Sequence, residues 1–392
     1  MKRIFIIHQH DPTITYLGGI GTFIRNFIKF SPRDFEIHLV GICANPEKNP
    51  VGQWQQLKMG EKSFHFLPIL ARDPTRRGGP PLSFQFTWAL RRFRDRINFK
   101  DSLIHFHRIE PTFALKDLDH PKILFLHYHP QDLYGNKVEV TWRRFPWLYF
   151  WLERRLIHRM THVFIVREAA VSFYQKRYPQ LANRFEFLTT WVDDSIFFPL
   201  PDEERFRFRQ EALQKLGLES VEKLLLFAGR FENPKNPFLL LEAFESVQRQ
   251  IKNTALLLIG TGTLEDSMRR FIQTKGLEKN VRILGPFSQP QIACWMNAAD
   301  LFCLSSKAEG MPFVITESLQ CGLPVVCMAV GESSRLIQDS RVGRLVKEQK
   351  AEAFAGAIID LLNHPVSRSE CQKSAEPYLA HKVLRRVYQQ CE

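Results

Sequence analysis

The chain has 392 residues, 44% hydrophobic and 24% charged, the balance of a soluble globular protein with room for two domains. This composition excludes a disordered chain, a collagen-like fibre and a disulfide-stapled miniprotein, and no apolar run approaches the ~18 residues of a membrane span. The net charge of +13 is uneven: residues 1–200 carry 29 Lys+Arg against 18 Asp+Glu, and the remainder 25 against 23. The first half therefore calls for an anionic partner, either a membrane surface, a nucleic acid or a phosphorylated substrate.

In chain order, Lys2-Arg3 followed by Ile4-Phe5-Ile6-Ile7 reads as a first β-strand. An export signal would need an apolar core of about 7–15 residues, so a cytoplasmic address is expected. Further strands are predicted at Glu36–Gly41, Ser63–Leu67, Leu103–His107, Ile123–His127 and His162–Val166, with helices at 20–30, 83–97, 145–160 and 168–177. The second half repeats the alternation. Strands are predicted at Leu224–Ala228, Thr254–Ile259, Val281–Leu284, Leu301–Leu304 and Pro324–Met328, and helices at 204–216, 237–250, 264–275, 289–297, 312–321 and 351–363. Alternating βα units imply parallel sheets covered on both faces. The prolines of Phe198-Pro199-Leu200-Pro201 mark a break. The expectation is an α/β protein of two doubly wound lobes, 1–199 and 200–375, with 376–392 as a tail. The seven cysteines form no CxxC pair, which favours buried reduced thiols over a metal cluster or a disulfide framework.

Doubly wound lobes bind ligands at the carboxyl ends of their strands, and the distinctive motifs follow predicted strands. Gly229-Arg230-Phe231-Glu232-Asn233-Pro234-Lys235 places two cations on one loop after Leu224–Ala228. Such a pair suits a diphosphate, Arg by planar paired hydrogen bonds and Lys as a point charge; taken alone, the motif reads first as a solvated loop with two surface cations. Gly260-Thr261-Gly262 follows another strand and opens a helix, where glycines let a ligand approach the backbone. A dinucleotide fingerprint needs a third glycine where Glu265 stands. Glu309-Gly310-Met311-Pro312-Phe313 leads into a helix that contains Glu317. Pro312 suits the first helical position, and that helix would turn its positive end toward an anion. Carboxylates beside a phosphate site are repelled by it, so Glu309 and Glu317 are expected to serve hydroxyls. Near the amino terminus, Gly18-Gly19 sits at a strand-to-helix turn. Two histidine pairs, His105/His107 and His127/His129, end neighbouring strands. A four-histidine metal site is one reading; hydrogen-bonding or acid–base groups at a strand end are the preferred one.

Together these residues resemble the retaining GT-B glycosyltransferases of the family-four type, glycosyl transferases group 1. The likeness runs through nearly the whole chain and is most specific in Gly229-Arg230 with Lys235, Gly260-Thr261-Gly262, the pair Glu309 and Glu317, and Cys321-Gly322-Leu323-Pro324-Val325. It implies two Rossmann-like lobes facing a cleft, with the tail around Tyr378–Tyr388 forming a helix that crosses back to the first lobe. It also implies roles. Arg230 and Lys235 neutralise the leaving diphosphate of a UDP- or GDP-sugar. Glu309 holds the sugar hydroxyls and Glu317 the ribose. Gly229, Gly262 and the backbone at Gly310, Met311, Pro312 and Phe313 line the donor. Gly18 and Gly19 pack near the diphosphate, and His127 contacts the sugar near the reacting carbon. No bound metal or cofactor is implied, because cations take that place. Thr190-Trp191 and Arg167-Glu168 depart from the common pattern, which bears on the acceptor side, a glycan or lipid-linked precursor. An NAD-dependent oxidoreductase is opposed by Glu265. A non-catalytic sugar- or membrane-binding scaffold is opposed by the joint presence of Arg230, Lys235, Glu309 and Glu317. Neither the acceptor nor the oligomeric state is legible.

The basic first half has a second feature. On helix 145–160, Arg144, Arg154, Arg155 and Arg159 share an arc with Trp147 and Trp151, opposite an apolar side on which Glu153 is a misfit. Tryptophan with arginine suits a lipid interface, and Arg91-Arg92-Phe93-Arg94-Asp95-Arg96 adds a second basic cluster; a charged helix face with its two tryptophans packed under loops is the equal alternative. Basic residues interleaved with acidic ones, without a helix-turn-helix, zinc-finger or RNA-recognition signature, argue against nucleic acid.

Overall fold

The computed structural model describes residues 2–14, 19–72, 80–127 and 146–391. Gly18, His129, Arg144 and Phe145 lie outside the described residues. The chain divides into two units, 1–189 with 381–392, and 190–380.

The first unit is built on an eight-stranded sheet of β1 (Lys2–Ile7), β2 (Phe35–Cys43), β3 (Gln55–Met59), β4 (Lys62–Ala71), β5 (Ser102–Phe106), β6 (Lys122–Leu126), β7 (His162–Ile165) and β8 (Phe185–Phe187), in the order β3-β4-β2-β1-β5-β6-β7-β8. Every pairing is parallel except β3 with β4. The inner strands are apolar on both faces because helices cover both. One face packs against α2 (Leu82–Phe93), α3 (Pro146–Leu156) and α4 (Glu168–Arg177), through Phe86, Leu90, Tyr149, Leu156, Ala170 and Tyr174. The other meets α1 (Gly19–Lys29), whose Phe27 ring meets His105 edge-on at 5.0 Å. The misfit Glu153 is fully buried and accepts hydrogen bonds from Tyr174 Oη at 2.8 Å and Tyr178 Oη at 2.9 Å.

The second unit holds a six-stranded, wholly parallel sheet of β9 (Lys223–Ala228), β10 (Thr254–Ile259), β11 (Val281–Gly285), β12 (Leu301–Leu304), β13 (Val325–Met328) and β14 (Gly343–Val346), in the order β11-β10-β9-β12-β13-β14. Its connecting helices are α5 (Asp202–Lys215), α6 (Pro237–Gln250), α7 (Glu265–Thr274), α8 (Gln289–Ala298), α9 (Phe313–Gln320), α10 (Ser333–Leu336), α11 (Ala351–Asn363) and α12 (Arg368–Ala375). The last helix, α13 (Ala380–Gln389), runs into the segment that joins the first unit. There Tyr388 Oη donates to Phe27 O at 2.9 Å, and Arg386 pairs with Glu186.

The strands missed from sequence are edge strands. The pair β3–β4 is a hairpin closed by Gly60-Glu61, with Gly60 at φ +60°. β3 alternates exposed polar residues, as a one-sided edge does. The stretch Trp191–Pro199, assigned from sequence to the first lobe, lies in the second unit. Val192 exchanges backbone hydrogen bonds with Tyr378 and Ala380 at 2.8 and 3.0 Å. Asn297 binds Leu200 N and Phe198 O at 2.8 and 3.0 Å. Those bonds, rather than the prolines, set the division after Thr189. All seven cysteines are free thiols, six of them buried.

Candidate functional site

In the second sheet the direction of strand addition reverses between β9 and β12, which lie side by side at the centre. Neighbouring loops part at such a switch point and leave a crevice at the carboxyl ends of the strands. The loop after β9 carries Arg230 and Lys235, and the loop after β12 carries Ser306 and Glu309. Lys235 Nζ lies 2.5 Å from Glu309 Oε1, and Ser306 Oγ donates to the same oxygen at 2.6 Å. The backbones are pinned as well. Ser305 Oγ donates to Lys235 O at 3.1 Å and Lys307 N to Pro234 O at 2.8 Å. Asn236, at φ +47°, turns the chain directly into α6. Arg230 is exposed, and its guanidinium has no ion pair among the described residues. The site thus offers one cation held on a carboxylate and one cation open to a ligand.

The capping position of α9 belongs to Pro312 (φ −76°, ψ 107°), and the helix begins at Phe313. This corrects the expectation that Pro312 is the first helical residue; its extended ψ keeps it outside the helix. The half-buried amides of Gly310 and Met311 donate to no backbone group among the described residues. Glu332 N donates to Gly310 O at 3.0 Å. A Cβ on Gly331 would stand 2.3 Å from Glu309 O, so Gly331 permits this backing. The helix ends as expected, with Gly322 at φ +76° and Leu323 N donating to Ser318 O at 2.9 Å.

Glu317 lies inside α9 and is half-buried. Burial, and secondarily the charge of Asp193, push its carboxyl up to about 8. Trp191, a departure noted from sequence, is buried and meets Phe313 edge-on at a ring separation of 5.5 Å. It braces the start of α9, a role no local pattern revealed.

The glycines after β10 have a structural task beside the one expected. A Cβ on Gly260 would lie 1.9 Å from Gly229 O, and one on Gly262 would lie 2.3 Å from Phe231 O. Their lack of side chains lets this loop fold onto the 229–231 loop, with Phe231 N donating to Thr261 O at 3.0 Å. Loop-to-loop packing accounts for both. Gly19 differs: a Cβ there meets nothing within 4 Å.

In the first unit the strand order reverses between β1 and β5. His8 and His10 follow β1, His107 follows β5 and His127 follows β6. His107 Nδ1 and His127 Nε2 share a hydrogen bond at 3.0 Å, and the rings stack at 5.3 Å. Burial, then the nearby Arg108 charge, lowers His127 to about 3; burial also holds His107 and His8 well below the usual imidazole value. These are neutral imidazoles at pH 7, fit for hydrogen bonding rather than proton uptake. His8, His10 and Arg108 went unremarked in the motif reading, although His8-Gln9-His10-Asp11 at a strand end was a usable signal.

Among the described residues, one group could hold a metal, and it is not at these strand ends: Glu36, His38 and His65. Both His Nε2 atoms face Glu36 Oε1, at 3.0 and 3.6 Å. His38 Nδ1 is buried without a hydrogen-bond partner. Metal ligation through Nε2 would move the proton onto Nδ1 with no acceptor, against the usual outer-shell support. The arrangement fits a neutral His38 donating to Glu36.

No helix among the described residues is long and apolar enough to cross a membrane. Residues 208–377 match the family model described as glycosyl transferases group 1. D-inositol 3-phosphate glycosyltransferase of Arthrobacter sp. (strain FB24) is 27% identical over 227 residues, 57% of this chain and 52% of that protein. The chain spans about half the length of the curated relatives it matches first. Among solved structures, sucrose-phosphate synthase of Thermosynechococcus elongatus superposes with a TM-score of 0.79 at 18% identity, over 100% of this chain and 99% of that one. Anabaena HepE in complex with UDP-glucose gives a TM-score of 0.72 at 16% identity, again over 100% and 99%. Residues 208–377 are a domain of the glycosyl transferases group 1 family, carried in a chain with the GT-B fold.

Proposed function

We propose that the chain is a retaining hexosyltransferase that takes its donor, a UDP- or GDP-sugar, at the β9/β12 switch point of the second unit. The observation that carries this reading is the Lys235–Glu309–Ser306 cluster on the same strand-end loops as Arg230, which is exposed and has no ion pair among the described residues. Together these groups supply charge for a leaving diphosphate and a carboxylate for hydroxyls.

Cleavage of the bond between the sugar's anomeric carbon and the β-phosphate oxygen leaves positive character on the ring and negative charge on the diphosphate. Preorganised cations stabilise that charge as it develops, by about 3–4 kcal/mol for a good donor. Arg230 is free to do so at once. Lys235 is held in place by Glu309 and reaches the phosphate from that anchor. The acceptor oxygen then bonds to the anomeric carbon from the face the phosphate leaves, and the acceptor proton passes to a β-phosphate oxygen. Amides of Gly310 and Met311 are proposed to bind the sugar or phosphate, with Pro312 and Phe313 beside them, and Glu317 to bind the ribose hydroxyls. On the first unit, His127 is proposed as a neutral hydrogen-bonding partner of the sugar. The inositol phosphate in the name of the Arthrobacter relative, and the basic first half of this chain, both support a phosphorylated or lipid-linked acceptor.

The test is thermal stabilisation by UDP, GDP, ADP and NAD at matched concentrations. A ligand at 100 times its Kd stabilises by about 2.7 kcal/mol. Stabilisation by a nucleoside diphosphate, lost in Arg230→Ala and Lys235→Ala, is expected. No shift with any diphosphate, or shifts unchanged in both variants, refutes the donor assignment; stabilisation by NAD alone restores the oxidoreductase.

A further inference from the structure

α2 and α3 carry one pattern. Phe84-x-Phe86-x-Trp88-x-x-Arg91-Arg92-Phe93 and Trp147-x-Tyr149-x-Trp151-x-x-Arg154-Arg155-Leu156 match position by position. The inner members, Phe86 and Tyr149, are fully buried in the same core, so the outer members face solvent on the same side of the sheet. Trp88 is 68% exposed, Trp147 67% and Trp151 51%. A soluble face does not spend three tryptophans this way. In both helices, aromatics four apart are followed by a pair of exposed arginines, which at 3.6 residues per turn forms a single stripe. The 3-10 segment Glu110–Leu115 packs against both helices and adds the exposed Phe113, with Lys116 Nζ 4.9 Å from its ring. On α3, the Arg155 guanidinium sits 5.0 Å from the Trp151 ring.

Each helix runs antiparallel to the strands it joins. Its aromatic half therefore lies toward their carboxyl edge, the edge that holds His127, and its arginines lie away from it. Aromatics beside cations are the composition of a bilayer interface, with rings at the headgroup level and guanidinium groups on phosphates. The excess of cations over anions in residues 1–200 complements an anionic leaflet.

We infer that the paired α2/α3 stripes dock the first unit on an anionic phospholipid bilayer. This rests on surface chemistry alone and holds or fails independently of the donor reaction. Each arginine near an anionic surface strengthens partition about fivefold.

The test uses the full chain with vesicles of phosphatidylcholine, with and without phosphatidylglycerol, at low and high salt, read by flotation and by quenching of tryptophan fluorescence with acyl-brominated lipid. The native chain is expected to float with anionic vesicles at low salt, to show quenching, and to retain part of its binding at high salt. Arg91/Arg92/Arg154/Arg155→Ala is expected to lower partition at least ~100-fold. Trp88/Trp147/Trp151→Ser should lose the quenching and the salt-resistant fraction, with an unchanged melting temperature because all three rings are exposed. No flotation at low salt, or equal flotation of both variants, overturns the inference. Salt-labile binding without quenching assigns the arginines to a soluble polyanion and overturns it too. So does concentration-dependent dimerisation that the Trp variant abolishes in a chain that ignores vesicles.

Discussion

The carboxyl of Glu317 offers a test of the site that needs no substrate. It stands near 8 in the folded chain against an ordinary 4.5, with desolvation the main cause and Asp193 the second. Below pH 4.5 the group is protonated in folded and unfolded chains alike, and nothing is lost. Between 4.5 and 8 the unfolded chain releases the proton while the folded chain keeps it, so stability falls as pH rises and levels off above 8. At 1.36 kcal/mol per unit the full loss has a ceiling of about 5 kcal/mol. Glu317 is only half-buried by its exposed surface, and retained hydration reduces the expected loss to about 2 kcal/mol. Glu317→Gln removes the titration while keeping the shape. The variant should match the parent near pH 4.5 and exceed it by about 2 kcal/mol at pH 8, or roughly 4–8 °C in melting temperature for a unit of this size. Parallel melts at pH 4.5, 6, 7 and 8.5 decide the matter. A difference that does not grow with pH, or one of opposite sign, would refute a desolvated carboxyl at this position.

Other predictions address the neighbouring groups. Arg230→Ala should cut turnover by about 10²–10³-fold with no change in melting temperature, because its side chain is exposed; turnover near the parent's would remove it from the site. Lys235→Ala should cost a similar factor and Lys235→Arg should not restore it, since Glu309 and Ser306 hold a point charge rather than a planar fork; rescue by Arg would contradict this. Gly262→Ala should destabilise by ~2 kcal/mol or more, because the new methyl meets the Phe231 carbonyl, whereas Gly19→Ala should leave stability unchanged, because a methyl there meets nothing within 4 Å; melts of the two variants make the comparison. With His127 titrating near 3, no rate inflection between pH 5 and 8 should belong to it; an acid limb near pH 6 abolished by His127→Asn would disprove its neutral role.

Much of this molecule was written locally. Buried parallel strands are short apolar runs between turn signals, so the expected Thr254–Ile259 matched its observed span and Leu224–Ala228 fell one residue short of its own. The loops bearing Arg230, Lys235 and Glu309 could be placed at strand ends for the same reason. Edge strands escaped because β3 and β14 lack such runs. Tertiary structure alone decided what the motif residues touch. Lys235 and Glu309 are 74 residues apart, and their contact exists because β12 inserts beside β9 on the side away from β10, an order no local pattern encodes. The same holds for Gly260 and Gly262, whose spacing suggested a ligand and whose bareness also makes room for the carbonyls of Gly229 and Phe231, and for Trp191, which looked like a departure from the common pattern and proved to brace α9. Sequence by itself determined which inner segments form strands and helices and which polar groups stand at their ends, since periodicity and turn chemistry act over a few residues. Strand order, and with it the partner of every charge and the protonation of Glu317, is set by contacts across the whole unit, because burial and proximity belong to the assembled sheet rather than to any stretch of chain.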